Sequence, residues 1–195
     1  MALPGAAPPL ESGGSAAPRV PRWSKVVARG LDALAVLLIA FAVWKFFVAP
    51  RNFSNPKTST QAPPVVLPLL AGGSFELARE RGRVVFLDFW ASWCEPCKLS
   101  IPLVQHYEAT HPNVDVVSID AGEPAALVRR FALGRKMRRV AFDPDMNVTS
   151  AFGVQVFPTM VVIDASGKER AKWVGYNALI ESAMDHARLT LGPKP

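Results

Sequence analysis

Between Arg83 and Trp90 the chain reads RVVFLDFW, apolar on both alternating faces except for its first residue and Asp88. A run with no polar face reads as a strand buried on both sides, which demands a sheet covered by helices on each face. The rest of the sequence supplies one. VDVVSID (Val114–Asp120) and TMVVID (Thr159–Asp164) read as further strands, and Val140–Phe142 as a short one. KERAKWVGY (Lys168–Tyr176) returns from a turn at Ala165-Ser166-Gly167 to close a hairpin. Helical segments are expected over Pro96–Thr110, Pro124–Leu133, Asn147–Phe152 and Asn177–Leu191. On the first of these, Leu99, Leu103, Val104 and Tyr107 fall on one face, and acidic Glu123 stands where the second opens. This alternation predicts an α/β fold, a central mixed sheet flanked by helices.

Ahead of the sheet lies a different kind of sequence. Residues 1–24 begin with an Ala/Gly/Pro/Ser tail that has little to bury and is expected to be disordered. Residues 25–49 include VVARGLDALAVLLIAFAVWKFFVA, interrupted only by Arg29, Asp32 and Lys45. At about 1.5 Å per residue a helix of that run reaches roughly 36 Å, enough for a bilayer core of about 30 Å. Cleavage after Ala49 would set Phe47 where a small residue is wanted and Pro50 beyond the cut, so an uncleaved signal-anchor is predicted. Arg19, Arg22, Lys25 and Arg29 precede the run, against Lys45, Arg51 and Lys57 behind it. That excess places the N-terminus in the cytoplasm and the main domain outside the inner membrane. Residues 50–66, rich in Pro, Ser and Thr, read as a spacer, and 67–193 as the globular domain.

Charge divides the same way. Residues 1–66 hold seven Lys/Arg against Glu11 and Asp32, whereas 67–195 hold fifteen against fourteen acids. The high isoelectric point therefore belongs to the N-terminal appendage, and no nucleic-acid partner is expected. Six cations do crowd one segment, Arg129, Arg130, Arg135, Lys136, Arg138 and Arg139, and read as a solvated helix end and loop.

The chain's only cysteines, Cys94 and Cys97, stand in FWASWCEPCK, just past the buried strand and at the mouth of a helix. Such a pair can bind metal, clip a loop or exchange disulfides. A zinc site completed by His106 and His111 would leave eight residues between Cys97 and His106 where a finger has about twelve. Both histidines also lie on or just past the helix that the cysteines open, so no metal is expected. A structural disulfide at this spacing closes too small a loop to stabilise much. A helix N-terminus, by contrast, stabilises a thiolate, and a thiol there can fall from about 8.5 to between about 3.5 and 7.5. Cys94 is then the nucleophile and Cys97, one turn on, the resolving thiol. Pro96 fits the first helical turn, where its missing N–H costs nothing.

VFLDFWASWCEPCKLSIPLV resembles the active-site region of thioredoxins, down to a proline five residues after the second cysteine, Pro102. GVQVFPTMVVID resembles their cis-proline loop, and Trp173-Val174-Gly175 the glycine after the last strand pair. The resemblance spans about residues 67–192 and implies a thioredoxin fold. It further implies a cis Pro158, with Phe157, Pro158 and Thr159 offering backbone to an extended client and Trp93 a surface platform. Asp88 would be the buried acid that assists proton transfer as Cys97 attacks.

The anchor, the segment Ala121–Arg139 and the Glu-Pro dipeptide between the cysteines are similar to the TlpA/ResA-like membrane-anchored branch. That likeness implies reduction of protein disulfides, in apocytochrome c or in copper-site assembly proteins, with electrons from a membrane dithiol donor. Glu95 disfavours the Cys94 thiolate, which lowers the potential towards a reductant. An isomerase or oxidant, or a copper-handling module, is the alternative. No cofactor beyond the redox disulfide is implied, and with no dimerisation segment evident a monomer is expected.

Overall fold

The computed structural model describes residues 22–43, 53–54 and 60–192, with side chains for 30–42 and 60–192. Its organising element is the apolar run, β5 (Val85–Trp90), every residue of which is buried. Parallel to it on one side run β6 (Asp115–Ala121) and then β7 (Val140–Asp143). On the other side β8 (Thr159–Ile163) and β9 (Lys168–Val174) are antiparallel. The helices α2 (Glu95–Thr110), α3 (Ala125–Gly134), α4 (Asn147–Ala151) and α5 (Ile180–Leu191) alternate with the strands, as the sequence predicts. This is the thioredoxin-like fold, a mixed sheet with helices on both faces.

Alternation along β5 sorts the core. Val85, Leu87 and Phe89 pack on one face with Val117, Ile119, Val161 and Ile163, under Val148 and Phe152 from the α4 region. Phe86 points the other way, towards Val104 and Tyr107 of α2 and Met184 of α5. A third cluster closes the carboxyl end of the parallel strands, where Trp90, Cys94, Cys97 and Ile101 meet Val128 and Ala132 of α3. The site therefore sits on a packed base and not on a free loop.

The sheet begins earlier than expected. Short strands β1 (Phe53–Ser54) and β2 (Thr60–Gln61) both pair antiparallel with β9, and Val65 is buried in the core. Part of the 50–66 stretch read as a spacer is thus sheet and core, because the outer edge of β9 offers unpaired backbone groups that an extended chain can satisfy. A hairpin of β3 (Val66–Pro68) and β4 (Ser74–Glu76) follows, leading into a 3-10 turn at Leu77–Glu80.

In the N-terminal unit α1 spans Arg22–Val43. Leu31, Leu34, Val36, Leu37, Leu38, Ile39 and Phe41 are each more than half exposed there. Among the described residues no helix is long and apolar enough to cross a membrane. The end of the predicted 25–49 span, past Val43, lies outside the described residues, as does the tail up to residue 21.

The basic segment is not uniform. Arg139 reaches Glu80 and also bonds Asp115 at 3.2 Å, tying the 3-10 turn to β6, so it is not the solvated cation expected. Arg129, Arg130 and Arg138 are exposed, and no ion pair to them occurs among the described residues. Because the Arg139 partners are nearly buried, Arg139→Ala is expected to cost about 1–2 kcal/mol of unfolding free energy. Arg138→Ala should stay within about 0.5 kcal/mol of the parent. Chemical denaturation of the two variants checks the contrast.

Candidate active site

Cys94 follows a three-residue turn off β5 and is the N-cap of α2. Its sulfur accepts a hydrogen bond at 3.1 Å from the Cys97 N–H, a first-turn amide that also reaches the Cys94 carbonyl at 3.1 Å. Pro96 occupies the first turn, where no N–H is needed. Cys94 and Cys97 are joined in a disulfide, the first 4 % and the second 0 % exposed. Of the two, Cys94 is the one that retains any exposure.

The cis-proline loop faces them. Phe157–Pro158 is cis, and Phe157 packs against the cluster that holds both cysteines. Trp93, 66 % exposed, meets the Phe157 ring edge-on at 5.9 Å. Val156 is exposed beside it. Thr159 is buried, and its hydroxyl donates to the Val156 carbonyl at 2.7 Å, so this side chain braces the loop while Trp93 and Phe157 form the outer surface. Pro158 is braced from behind. Gly175 donates its N–H to the Pro158 carbonyl at 2.7 Å from a φ of 86°, a conformation that glycine adopts without strain.

Asp88 lies on the α2 face of β5, between Phe86 and Trp90, in register with Ser118 and Met160. Burial pushes its carboxyl from 3.8 up to about 7. An acid placed there changes charge at neutral pH, the requirement for moving a proton in a thiol reaction. Glu95 is exposed and paired with Lys98 one helical turn on, so its charge is partly offset before it reaches Cys94.

His106 contacts Glu181 at 3.0 Å, and His111 stacks on Tyr107 near Asp185. The histidines thus serve the seam between α2 and α5 and are not brought to the sulfurs. The sequence reading of Glu123 as a helix opener is corrected here. Pro124 is the cap residue of α3, and the Glu123 carboxylate turns instead to Ser92, accepting from its N–H and, at 2.6 Å, from its hydroxyl. Glu123 and Ser92 are site residues that the sequence reading missed; the signal available was faint, an acid after a glycine at the end of the strand beside β5.

Fold and site together define the class: a thioredoxin-like enzyme of thiol–disulfide exchange. The chain belongs to the redoxin family as a TlpA/ResA-like member, matching that family over residues 57–186. The thiol-disulfide oxidoreductase ResA of Bacillus subtilis strain 168 is 34% identical over 145 residues, 73% of this chain and 80% of the relative. ResA of Halalkalibacterium halodurans is 31% identical over 143 residues, 71% of this chain and 80% of that one. Among solved structures, the pneumococcal exposed lipoprotein thioredoxin Etrx1 of Streptococcus pneumoniae strain TIGR4 superposes with a TM-score of 0.60 at 25% identity. It covers 66% of this chain and 100% of its own.

Proposed function

We propose that this enzyme is a membrane-tethered reductant of protein disulfides on the outer side of the inner membrane. The observation that carries the direction is the charge around the nucleophile. Glu95 adjoins Cys94 with its charge partly offset by Lys98, and the buried Glu123 grips the residue two before the nucleophile. Negative charge there favours the thiol over the thiolate, and a dithiol whose thiolate is not stabilised gives up its electrons more readily. The apolar run through α1 supports a tether, with the N-terminus in the cytoplasm.

In the reaction the Cys94 thiolate attacks one sulfur of a client disulfide, breaking that bond and releasing one client thiolate, which takes up a proton. Asp88 accepts the proton of the Cys97 thiol. Cys97 then attacks the Cys94 sulfur and expels the second client thiolate. Two electrons have passed to the client, and Cys94–Cys97 is a disulfide again. A membrane dithiol donor resets it, and haem-binding cysteines of apocytochrome c or copper-site assembly proteins are the clients expected. Trp93, Phe157 and the backbone at Val156–Thr159 receive them, the chain acting as a monomer.

The test is the reduction potential of the whole chain in detergent, equilibrated against thiol buffers. A value near about −270 mV, that of thioredoxin, supports a reductant. A value at or above about −180 mV, in the range of protein disulfide isomerase, overturns the direction.

A further inference from the structure

We propose that Glu123 is a positioning residue for Cys94: it clamps Ser92 through both carboxylate oxygens, with Asp120 wedged beneath it, and so sets how the turn presents the nucleophile and how readily that thiol ionises. The inference rests on thiol–disulfide exchange at Cys94 but concerns residues outside the cysteine pair, Asp88 and the cis-proline loop.

The clamp is built by the sheet. Asp120 lies beside Trp90 in the parallel register of β5 and β6, so β6 delivers it to the base of the turn that leads to Cys94. Gly122, at φ 81°, reverses the chain directly after β6, and a Cβ there would meet the Met146 side chain at 3.0 Å. The reversal lets the Glu123 N–H return to Asp120 Oδ1 at 3.2 Å while its carboxylate reaches across to Ser92. Glu123 is 6 % exposed and Asp120 0 %, in a region where an unneeded charge is costly.

One detail shows how the two acids coexist. Asp120 Oδ2 is buried with no hydrogen-bond partner. Both Glu123 oxygens accept from Ser92, so the two carboxyls together lack a donor, and a proton on Asp120 supplies it. Burial, then the Glu123 carboxyl beside it, pushes Asp120 well above its ordinary 3.8, the direction that favours that proton. The titratable groups facing the pair are Asp88 on the same sheet face, Asp143 of β7 and the two cysteines. None is a cation. Asp143 is itself committed to the start of α4, accepting from the amides of Val148 and Thr149 and from the Thr149 hydroxyl. The clamp therefore carries one uncompensated negative charge two residues from the nucleophile, rigidly held.

The experiment follows alkylation of reduced whole protein by iodoacetamide across pH 5 to 10, with its melting temperature, for the parent, Glu123→Gln and Ser92→Ala. Glu123→Gln removes the charge at nearly constant shape, and Cys94 should alkylate about threefold to tenfold faster at pH 7, its profile displaced to lower pH. Ser92→Ala keeps the charge and loosens the clamp, and should slow client reduction while leaving the profile within about twofold of the parent. If Glu123→Gln lowers only the melting temperature and leaves the profile in place, the residue is structural and the inference fails. If Ser92→Ala moves the profile as far as Glu123→Gln, charge is not what sets it, and the inference fails as well. A reduced parent protein that passes no electrons to a model protein disulfide would instead sink the redox reading itself, which separates the two failures.

Discussion

Cys97→Ser is expected to end turnover and to leave Cys94 covalently joined to the client. Cys94 keeps 4 % exposure, whereas Cys97 is 0 % exposed with its Cα 5.2 Å from that of Cys94, so Cys97 is placed to react with its neighbour. Resolution of the mixed disulfide is therefore intramolecular. Well-oriented reactions of that kind reach effective concentrations of about 10⁵ M or more, so millimolar external thiol replaces Cys97 poorly and turnover should fall at least about 1000-fold. Cys94→Ser should be as inactive for the opposite reason, since the remaining thiol is enclosed, and it should trap nothing. Non-reducing electrophoresis with mass spectrometry of the adduct reads both variants. Resolution of the adduct in Cys97→Ser at near the parent rate, or adducts in Cys94→Ser, would overturn this assignment of roles.

Asp88→Asn should make the protein more stable above neutral pH and less active, and the change in stability should depend on pH. The carboxyl ionises near 3.8 when unfolded and near about 7 when folded, burial being the cause. Below both values each state is protonated and the group costs nothing. Between them the unfolded chain releases a proton that the folded one retains, so folding is progressively penalised as pH rises, and the penalty is complete above about 7. Some three units correspond to about 4 kcal/mol, from which burying the neutral amide subtracts about 1–2 kcal/mol. At pH 8 Asp88→Asn is thus expected to gain about 2–3 kcal/mol in denaturant unfolding, and at pH 4 to lose about 1–2 kcal/mol. The rise of the reduction rate through neutral pH should flatten in the same variant, because Asn cannot accept the Cys97 proton. Equal stability changes at both pH values would show that Asp88 is not the strained group that its burial implies. Asp120, buried and raised in the same direction, acts on stability with the same sign.

The parts of the structure that were legible in the sequence share a cause: each is enforced locally. RVVFLDFW has no polar face, so nothing but a central strand accommodates it, and an acid inside such a run marks itself as unusual. Pro96 and the spacing of the cysteines similarly announce a helix start. The parts that were missed are set by distant partners. Thr60–Gln61 is two exposed polar residues, too short for any alternation, and becomes a strand only because β9 presents an open edge. Arg139 is one of six neighbouring cations and is distinguished only by where Glu80 and Asp115 arrive. Glu123 has the local credentials of a helix opener. Its actual role depends on Ser92, thirty-one residues away, and no pattern around either residue reveals that meeting.

Both margins of the sheet are closed by the chain's own early segments. β1 and β2 lie along β9, while Leu69 bridges Ala141 and the Leu70 N–H donates to the Val140 carbonyl at the margin of β7. An open sheet edge invites extended chains to stack on it. Here both margins are covered and that recruitment is pre-empted. A truncated domain beginning at residue 71 would keep the cysteines and every helix beyond them, yet it would bare both margins and trade an oxidoreductase for an aggregation template.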